Sequence, residues 1–238
     1  MSEKKNNPAR TAKIERAIFL LVLLSFALTM LFLILRIIFL RGRTDPTGRT
    51  AADYGMMIAQ CVMGLVLMFL PSFIARRITL KIPSSIYVVY VVFLYFAIYL
   101  GEVRSFFYKI RYWDVLLHSF SGFSLGALGF SVVDLLNRDE RVRISLSPFF
   151  VALFSFCFAL SIGTVWEIVE FSIDGILGTN MQKYALESGV QLVGRAALTD
   201  TMKDLIVDSV GVLISTSVGY SALRRERKAR EPEKKAEG

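Results

Sequence analysis

Residues 199–223 read TDTMKDLIVDSVGVLISTSVGYSAL and combine an apolar stretch of membrane-spanning length with three regularly spaced acids, Asp200, Asp204 and Asp208. A spacing of i, i+4, i+8 puts the three carboxylates on one face of a helix. A charge at the centre of a bilayer costs about 2.5–3.5 kcal/mol on insertion scales, so three acids in register must meet partners inside the protein. We therefore expect a transmembrane helix that carries one side of a polar site.

The apolar content of the whole chain predicts an all-α, polytopic membrane helix bundle. Of its 238 residues, 54% are hydrophobic, and the mean hydropathy is +0.53. Those values lie outside the range of soluble domains, which makes the lipid bilayer the first partner of the chain. Six runs are long enough to cross about 30 Å of hydrocarbon. They cover residues 17–40, 52–74, 84–100, 113–136, 147–173 and 200–223. The first run is too long for the apolar core of a signal peptide, so we expect it to be retained.

The basic residues predict the orientation of this bundle. If the N-terminus is cytoplasmic, the inside segments carry 18 Lys and Arg and the outside segments carry eight. The positive-inside rule therefore favours an N-in/C-in topology. We divide the chain into a basic cytoplasmic N-terminal tail (1–16), a six-helix transmembrane domain (17–223) and a basic disordered cytoplasmic tail (224–238). The net charge of +8 is concentrated in the tails, which suits anionic lipid head groups and not nucleic acid.

The same topology gathers the polar residues of the last three spans at one depth, in the outer half of the membrane. Asp114 and His118 are four residues apart at the start of the fourth span. Glu167, Glu170 and Asp174 follow i, i+3, i+7 spacing at the end of the fifth. Each set occupies one helix face. Together with the acids of the sixth span, they predict one site.

We assign these residues to a candidate cation or proton site. The candidate metal ligands are Asp114, His118, Glu167, Glu170, Asp204 and Asp208, and the further site residues are Asp174, Asp200 and Lys203. So many acids around one histidine cannot all stay ionised without bound cations, shared protons or ion pairs, and the sequence leaves these three open. An oxygen-rich site with one imidazole suits a divalent cation, namely Mg, Ca or Mn, with Zn as a further option. Asp208 lies about 12 Å below Asp200, so we expect it to be the most sensitive acid.

Several of these residues also have simpler interpretations. His118, the single histidine, is as readily a packing residue as a ligand or proton shuttle. Asp200 is favoured as a helix cap. Lys203 either reaches outward to water or pairs with an acid of the fifth span. Asp174, just before Gly175, is interpreted equally well as a loop residue.

Small residues accompany the acids and predict close helix packing. Gly122 in the fourth span and Gly211 in the sixth belong to runs of small residues at about four-residue spacing. Such residues let helix backbones approach in lipid, so we expect spans four and six to be clamped together. Cys61 and Cys157 lie in apolar runs and are expected to be buried free thiols.

The motifs of the second half, residues 113–219, resemble the YjdF-like inner-membrane proteins of bacteria and, more loosely, the VanZ-like membrane proteins. The motifs are Asp114-x-x-x-His118-x-Phe120, Trp166-Glu167-x-x-Glu170 and Asp200-Thr201-x-Lys203-Asp204. The chain departs from the VanZ-like pattern at Asp208, where that pattern has Asn, and at Ser215, where it has Gly. The YjdF-like resemblance implies a multi-pass protein of the bacterial cytoplasmic (inner) membrane. It implies no established activity.

Three functions are compatible with this pattern. The first is an enzyme whose divalent cation acts on a lipid-linked or other envelope substrate. The second is an ion- or proton-coupled transporter, although the inner halves of spans four to six are apolar or small and offer no full pathway. The third is a non-catalytic accessory protein whose polar cluster is structural. The connection 175–199 is long, and we expect it to cover the acidic site.

Overall fold

The computed structural model describes residues 8–40, 43–46, 49–77, 84–138, 146–186 and 188–236. Throughout these ranges the regular structure is helical, and the extended structure is limited to an isolated bridge between Ala185 and Gln191. Six helices are long and apolar enough to cross a membrane. The protein is therefore an all-α, polytopic membrane bundle, which confirms the fold class predicted from the apolar runs.

Within the described ranges, seven α-helices and one π-helix form the bundle. Their bounds are α1 Pro8–Leu40, α2 Ala51–Arg77, α3 Ser84–Leu94, the π-helix Tyr95–Val103, α4 Phe106–Lys109, α5 Trp113–Arg138, α6 Pro148–Leu177 and α7 Arg195–Ala236. The third span is α3 together with the π-helix that continues it. Predicted and observed spans coincide, but most helices extend further at one or both ends.

Helical structure continues into both predicted tails. Helix α1 begins at Pro8, so the described part of the N-terminal tail is helical, and residues 1–7 lie outside the described residues. Helix α7 continues to Ala236, across most of the segment 224–238 that the sequence predicts to be a disordered tail. The segment is rich in Arg, Lys, Glu and Ala, which are all strong helix formers.

The chain folds as two compact units, Met1–Trp113 and Asp114–Gly238. In the first, α1, α2 and α3 with its π-helix bury a core that includes Phe26, Cys61 and Val91. Cys61 is buried and free, as predicted, whereas Cys157 is free but exposed on the outside of α6. An apolar run does not distinguish lipid-facing from inward positions, because lipid and protein core are both apolar.

Pro71 lies inside α2 and shows how the first unit handles a broken backbone hydrogen bond. Proline has no N–H, so the carbonyl of Leu67, four residues earlier, loses its helical donor. The Tyr90 hydroxyl donates to that carbonyl at 2.8 Å, and Tyr87 donates to the carbonyl of Met68 at 2.9 Å. Inside lipid, every backbone polar group must find such a partner.

The second unit is built on glycine contacts. A Cβ on Gly122 of α5 would lie 2.7 Å from the Asp208 carbonyl oxygen of α7, and one on Gly211 would lie 2.8 Å from the Ser119 carbonyl oxygen of α5. A Cβ on Gly163 of α6 would lie 2.8 Å from Asp208 Oδ2. The predicted clamp between the fourth and sixth spans is confirmed, and it sets the depth of the acids on α7.

Candidate functional site

The candidate site lies within the second unit, at the end of the bundle where α5 begins, α6 ends and α7 begins. Helix α5 provides Asp114 in its first turn and His118 one turn later. Helix α7 provides Asp204 and Asp208, which are both buried. These four residues, predicted from i, i+4 spacing on two separate helices, come together around one imidazole ring.

His118 is the centre of this group. Its Nε2 atom lies 3.7 Å from Asp114 Oδ1 and 3.8 Å from Asp204 Oδ2. Its Nδ1 atom lies 3.3 Å from Asp208 Oδ2. One ring nitrogen therefore faces two carboxylates and the other faces a third. Both ring nitrogens thus face acids, an arrangement that suits a structural ion pair as well as a metal ligand or proton shuttle.

Asp208 is held from several sides. Its Oδ2 faces the imidazole, and its Oδ1 accepts a 3.3 Å hydrogen bond from the Ser121 hydroxyl. Gly163 leaves the space that Oδ2 occupies. The contact with the ring is an ion-pair distance and not a hydrogen bond, since His118 Nδ1 has no hydrogen-bond partner among the described residues. Asp208 therefore faces one edge of the imidazole, and Asp114 and Asp204 face the other.

Asp114, His118 and Asp204 form a group with the spacing of metal ligands. One ligand atom from each residue lies within 4.8 Å of the other two. Asp204 is only 2% exposed, and its Oδ1 accepts no hydrogen bond from the described residues. An unpaired buried oxygen of this kind costs free energy unless a cation, a proton or water satisfies it.

Glu167 is a second buried acid without partners. It is 4% exposed, and neither carboxylate oxygen accepts a hydrogen bond from the described residues. It lies one turn beyond Gly163 on the same face of α6, which packs against Asp208. Helices α6 and α7 are antiparallel, so one turn beyond Gly163 corresponds to one turn before Asp208, where Asp204 lies. Glu167 of α6 therefore lies at the same level as Asp204 of α7.

Asp174 binds the following loop, whereas its spacing predicts that it faces the acidic site. It lies in the last turn of α6, which ends at Leu177 with Gly178 in the left-handed conformation. Its carboxylate accepts from the Thr179 hydroxyl, from Met181 N at 2.8 Å and from Gln182 N at 3.0 Å. Asp174 thus fastens the start of the loop to the helix. It is not the loop residue that the sequence suggested.

The remaining predicted residues lie at the edge of the group. Glu170 accepts a 2.8 Å hydrogen bond from Trp166 Nε1 on the same helix. Asp200 lies 3.9 Å from Lys183 Nζ, and it is no cap, because α7 begins at Arg195. Lys203 lies 4.0 Å from Asp114 Oδ2, so its partner is an acid of α5 and not of α6.

Sequence reasoning missed three polar residues of this region. Ser121 supports Asp208, and Lys183 pairs with Asp200. Gln182 donates from Nε2 to the Glu167 carbonyl at 3.3 Å and to the Thr201 hydroxyl at 3.0 Å, which ties α6 to α7. Ser121 was accessible to prediction, since it lies three residues after His118. The other two lie in an irregular loop, where no periodicity indicates which way a side chain points.

The connection between α6 and α7 is shorter than predicted, because the helices extend to Leu177 and from Arg195. Its first part, fastened by Asp174, places Gln182 and Lys183 against the acidic group. The apolar side chains of Leu186, Val190 and Val193 in its second part are exposed, and Glu187 lies outside the described residues. The loop therefore borders the site with its first half only.

Comparison with known proteins places the chain in a family. Residues 18–225 match the family described as "Predicted membrane protein (DUF2238)". An uncharacterized protein of Thermotoga maritima is 29% identical over 149 residues, which cover 62% of this chain and 64% of that protein, or less than two thirds of its length. No solved structure matches the chain. Since the family match extends over most of the sequence and the fold has six spanning helices, the chain belongs to the DUF2238 family of membrane proteins.

Proposed function

We propose that this protein binds a divalent cation through Asp114, His118 and Asp204 and acts on a lipid-linked or other envelope substrate at the outer face of the bacterial cytoplasmic membrane. The observation that carries the proposal is the ligand spacing: one atom of each residue lies within 4.8 Å of the other two. The His118 Nε2 distances of 3.7 and 3.8 Å to the two carboxylates are longer than direct hydrogen bonds. They leave space for an ion between the three groups.

The unpaired oxygens favour a cation over the two alternative forms of compensation. Lys203 is the ammonium group nearest to Asp114, and its distance of 4.0 Å makes a weak pair at a half-buried position. Asp204 Oδ1 and both Glu167 oxygens have no donor among the described residues. A cluster retained only for helix packing would satisfy its own polar atoms, because unpaired buried groups destabilise a fold. The accessory-protein reading is therefore the weaker one.

Asp208 acts on this site through the imidazole. A metal-binding histidine commonly donates its other N–H to a carboxylate, which fixes the tautomer and the ring orientation. The 3.3 Å distance from His118 Nδ1 to Asp208 Oδ2 is short enough for that arrangement, which a small rotation of the ring would complete, since Nδ1 donates no hydrogen bond to the described residues. The first-sphere donors are then one nitrogen and two carboxylates, which suits Zn or Mn better than Mg or Ca.

The chemistry we infer is metal-assisted hydrolysis. A cation with three protein ligands keeps a coordination position for water or substrate, and it supplies Lewis acidity to a phosphoryl or carbonyl oxygen. Glu167, buried and without a hydrogen-bond donor, is placed to hold the proton that an attacking water loses. The N-in/C-in topology, which the basic residues favour, would put this chemistry at head-group depth on the outside.

A transporter is the second candidate, and the glycine contacts argue against it. At the level of Asp208, the backbones of α5 and α7 are in contact, since a Cβ on Gly122 or Gly211 would lie within 2.8 Å of a backbone oxygen of the opposite helix. A polar path would have to cross this contact. We also infer that the chain is one of the YjdF-like proteins whose motifs it carries, and leave the looser VanZ-like resemblance aside.

The test is a cation titration of the detergent-purified full chain. We expect the wild-type protein to retain about one Zn or Mn per chain after dialysis, and its thermal midpoint to fall when a chelator removes the metal. Asp114→Asn should lose the metal and the response to chelator. Asp200→Asn is the matched control, because Asp200 lies on α7 but pairs with Lys183, and it should behave as wild type. A wild-type protein that holds no divalent cation, and whose midpoint is indifferent to chelator, would refute the cation site.

A further inference from the structure

A separate cavity lies within the first unit, where the last turns of α1, the first turns of α2 and the end of the π-helix meet. Its volume is about 430 Å³. Its charged lining consists of Arg36, Arg49, Arg104 and Asp45. The site proposed above does not involve these residues, and sequence reasoning treated the arginines only as topology signals or as partners for acids.

The charges of this cavity are unbalanced toward the positive side. Asp45 is 8% exposed, and its carboxylate accepts hydrogen bonds from the Tyr54 hydroxyl and from Arg49 N, the latter at 2.9 Å. Among the described residues, none of the guanidinium groups of Arg36, Arg49 and Arg104 forms an ion pair with a carboxylate. Three arginines and one carboxylate among the described lining residues leave an excess of positive charge.

The rest of the lining is apolar and continuous with the lipid-facing side of α1. Leu28 and Phe32 line the cavity and are 63% and 54% exposed, respectively. Arg36 lies one turn further along the same face, with its guanidinium carbon 5.4 Å from the centroid of the Phe32 ring. An occupant of this cavity therefore meets cationic groups at one end and a lipid-exposed apolar surface at the other.

The π-helix shapes the inner wall. Its wide turn is closed by a 3.0 Å hydrogen bond from Arg104 N to the Tyr99 carbonyl, and Tyr99, Val103 and Arg104 all line the cavity. The Tyr99 hydroxyl accepts from Thr29, which fixes the ring against α1 at 3.2 Å. Wide turns of this kind occur often at functional sites, because they redirect side chains that a regular helix would carry elsewhere.

From this arrangement, we propose that the cavity binds the phosphate head group of an anionic amphiphile, with Arg36, Arg49 and Arg104 on the phosphate and the apolar wall of α1 along the chain of the ligand. Guanidinium groups bind phosphate oxygens through paired, charge-assisted hydrogen bonds. A cavity of 430 Å³ falls in the range of small-ligand sites and accommodates a head group with the first part of its acyl chains. This proposal does not depend on the cation site.

The experiment titrates the detergent-purified full chain with dioctanoyl-phosphatidylglycerol and counts bound copies by native mass spectrometry. Arg36→Gln and Arg104→Gln are compared with Arg111→Gln, which removes one charge at an exposed residue outside the cavity. We expect one saturable copy on the wild type. Binding should weaken about tenfold in each cavity variant and stay unchanged in Arg111→Gln, because a lost charge-assisted contact is worth about one factor of ten.

Two further arms separate the sources of the phosphate. Dioctanoylglycerol carries the same chains without phosphate, and inorganic phosphate carries the anion without chains. If inorganic phosphate at millimolar concentration leaves the lipid in place, the ligand is a phospholipid; if it displaces the lipid in the wild type, the phosphate chemistry holds and a free anion is the source. Equal binding of dioctanoylglycerol, or wild-type affinity in both Arg36→Gln and Arg104→Gln, would overturn the proposal. Thermal midpoints of the variants verify that they are folded.

Discussion

A buried acid occurs in each unit of the protein, and the two are compensated in opposite ways. Asp45 of the first unit is held by donors of its own surroundings, the Tyr54 hydroxyl and Arg49 N. Asp204 of the second unit is more deeply buried, at 2% against 8% exposure, yet one of its oxygens has no donor among the described residues. The fold supplies hydrogen-bond donors to the first acid, and it leaves one oxygen of the second without a donor among the described residues.

We use this difference to distinguish structural acids from the acids of the proposed cation site. The same contrast occurs within α6, where the Asp174 carboxylate accepts three hydrogen bonds from the following loop and the Glu167 carboxylate accepts none from the described residues. Removing a satisfied buried acceptor leaves its donors unpaired and destabilises the protein. Removing an unsatisfied one relieves crowding between like charges and removes a ligand. Stability and binding should therefore respond in opposite directions at the two kinds of position.

The largest expected effect is that Asp204→Ala and Asp45→Ala change different properties, cation binding in the first and stability in the second. Asp204→Ala should lower the affinity for the divalent cation by more than about 100-fold, since even residues behind the ligands contribute about 10- to 100-fold. In the absence of cation, it should leave the thermal midpoint unchanged or raise it. Asp45→Ala should keep the cation and lose about 1–3 kcal/mol of stability, because the buried Tyr54 hydroxyl loses its acceptor. Isothermal titration and chemical denaturation measure the two quantities.

This pair of variants also has a clear contrary result. Loss of stability in both variants, with the cation retained in both, would make Asp204 a structural acid like Asp45.

The next effect concerns Asp208, which the depth argument expected to be the most sensitive acid. The geometry changes that order, because Asp208 contacts the imidazole and the Ser121 hydroxyl and does not belong to the group with ligand spacing. Asp208→Asn should weaken cation binding about 10- to 100-fold through the orientation of His118, less than the loss of a ligand. Ser121→Ala should weaken cation binding by a smaller factor than Asp208→Asn does. Cation affinities that place Asp208→Asn below Asp204→Asn would restore the depth argument.

Periodicity predicted those parts of the site that lie on one helix face. Asp114 with His118, and Asp204 with Asp208, were found because i, i+4 spacing fixes direction on a helix whatever packs against it. Asp174 and Glu170 share that regularity with Glu167, but a loop and a tryptophan on their own helix engage them. Those partners are set by tertiary structure and by the loop conformation, which spacing does not encode.

The arginine-lined cavity escaped prediction for a different reason. Arg36, Arg49 and Arg104 belong to three separate helical regions that come together only in the folded unit. In the sequence, Arg49 and Arg104 enter the count of basic residues that predicts orientation, and Arg36 lies within the first predicted span. Neither observation indicates which charges meet in the folded unit. The six spans, by contrast, follow from length and hydropathy alone, since a bilayer imposes both on any helix that crosses it.

A smaller effect tests the glycine contacts that close the seam of the second unit. Gly122→Ala should lose about 1–3 kcal/mol, because the new Cβ would lie 2.7 Å from the Asp208 carbonyl oxygen, and backbone cannot move aside cheaply. Gly55→Ala in α2 is the matched control, since a Cβ there meets nothing within 4 Å. It should be neutral or stabilise by up to about 1 kcal/mol through helix propensity. Similar denaturation midpoints for both variants would show that the seam is loose enough to open.

The smallest effect concerns the first unit, where the fold satisfies a backbone acceptor that proline has orphaned. Tyr90→Phe removes the donor to the Leu67 carbonyl and should cost about 0.6 kcal/mol, the average for hydrogen bonds between membrane helices, and at most about 1.7 kcal/mol. Pro71→Ala restores the helical N–H, so the same Tyr90→Phe change should cost less in that background. The double-mutant cycle isolates this coupling from the general effect of losing a hydroxyl, and Tyr112→Phe at an exposed position provides the baseline. Additive losses in the cycle would mean that Tyr90 does not compensate for Pro71. Coupling would show instead that the first unit completes its own hydrogen bonds, in the same chain that leaves Asp204 and Glu167 open to a ligand.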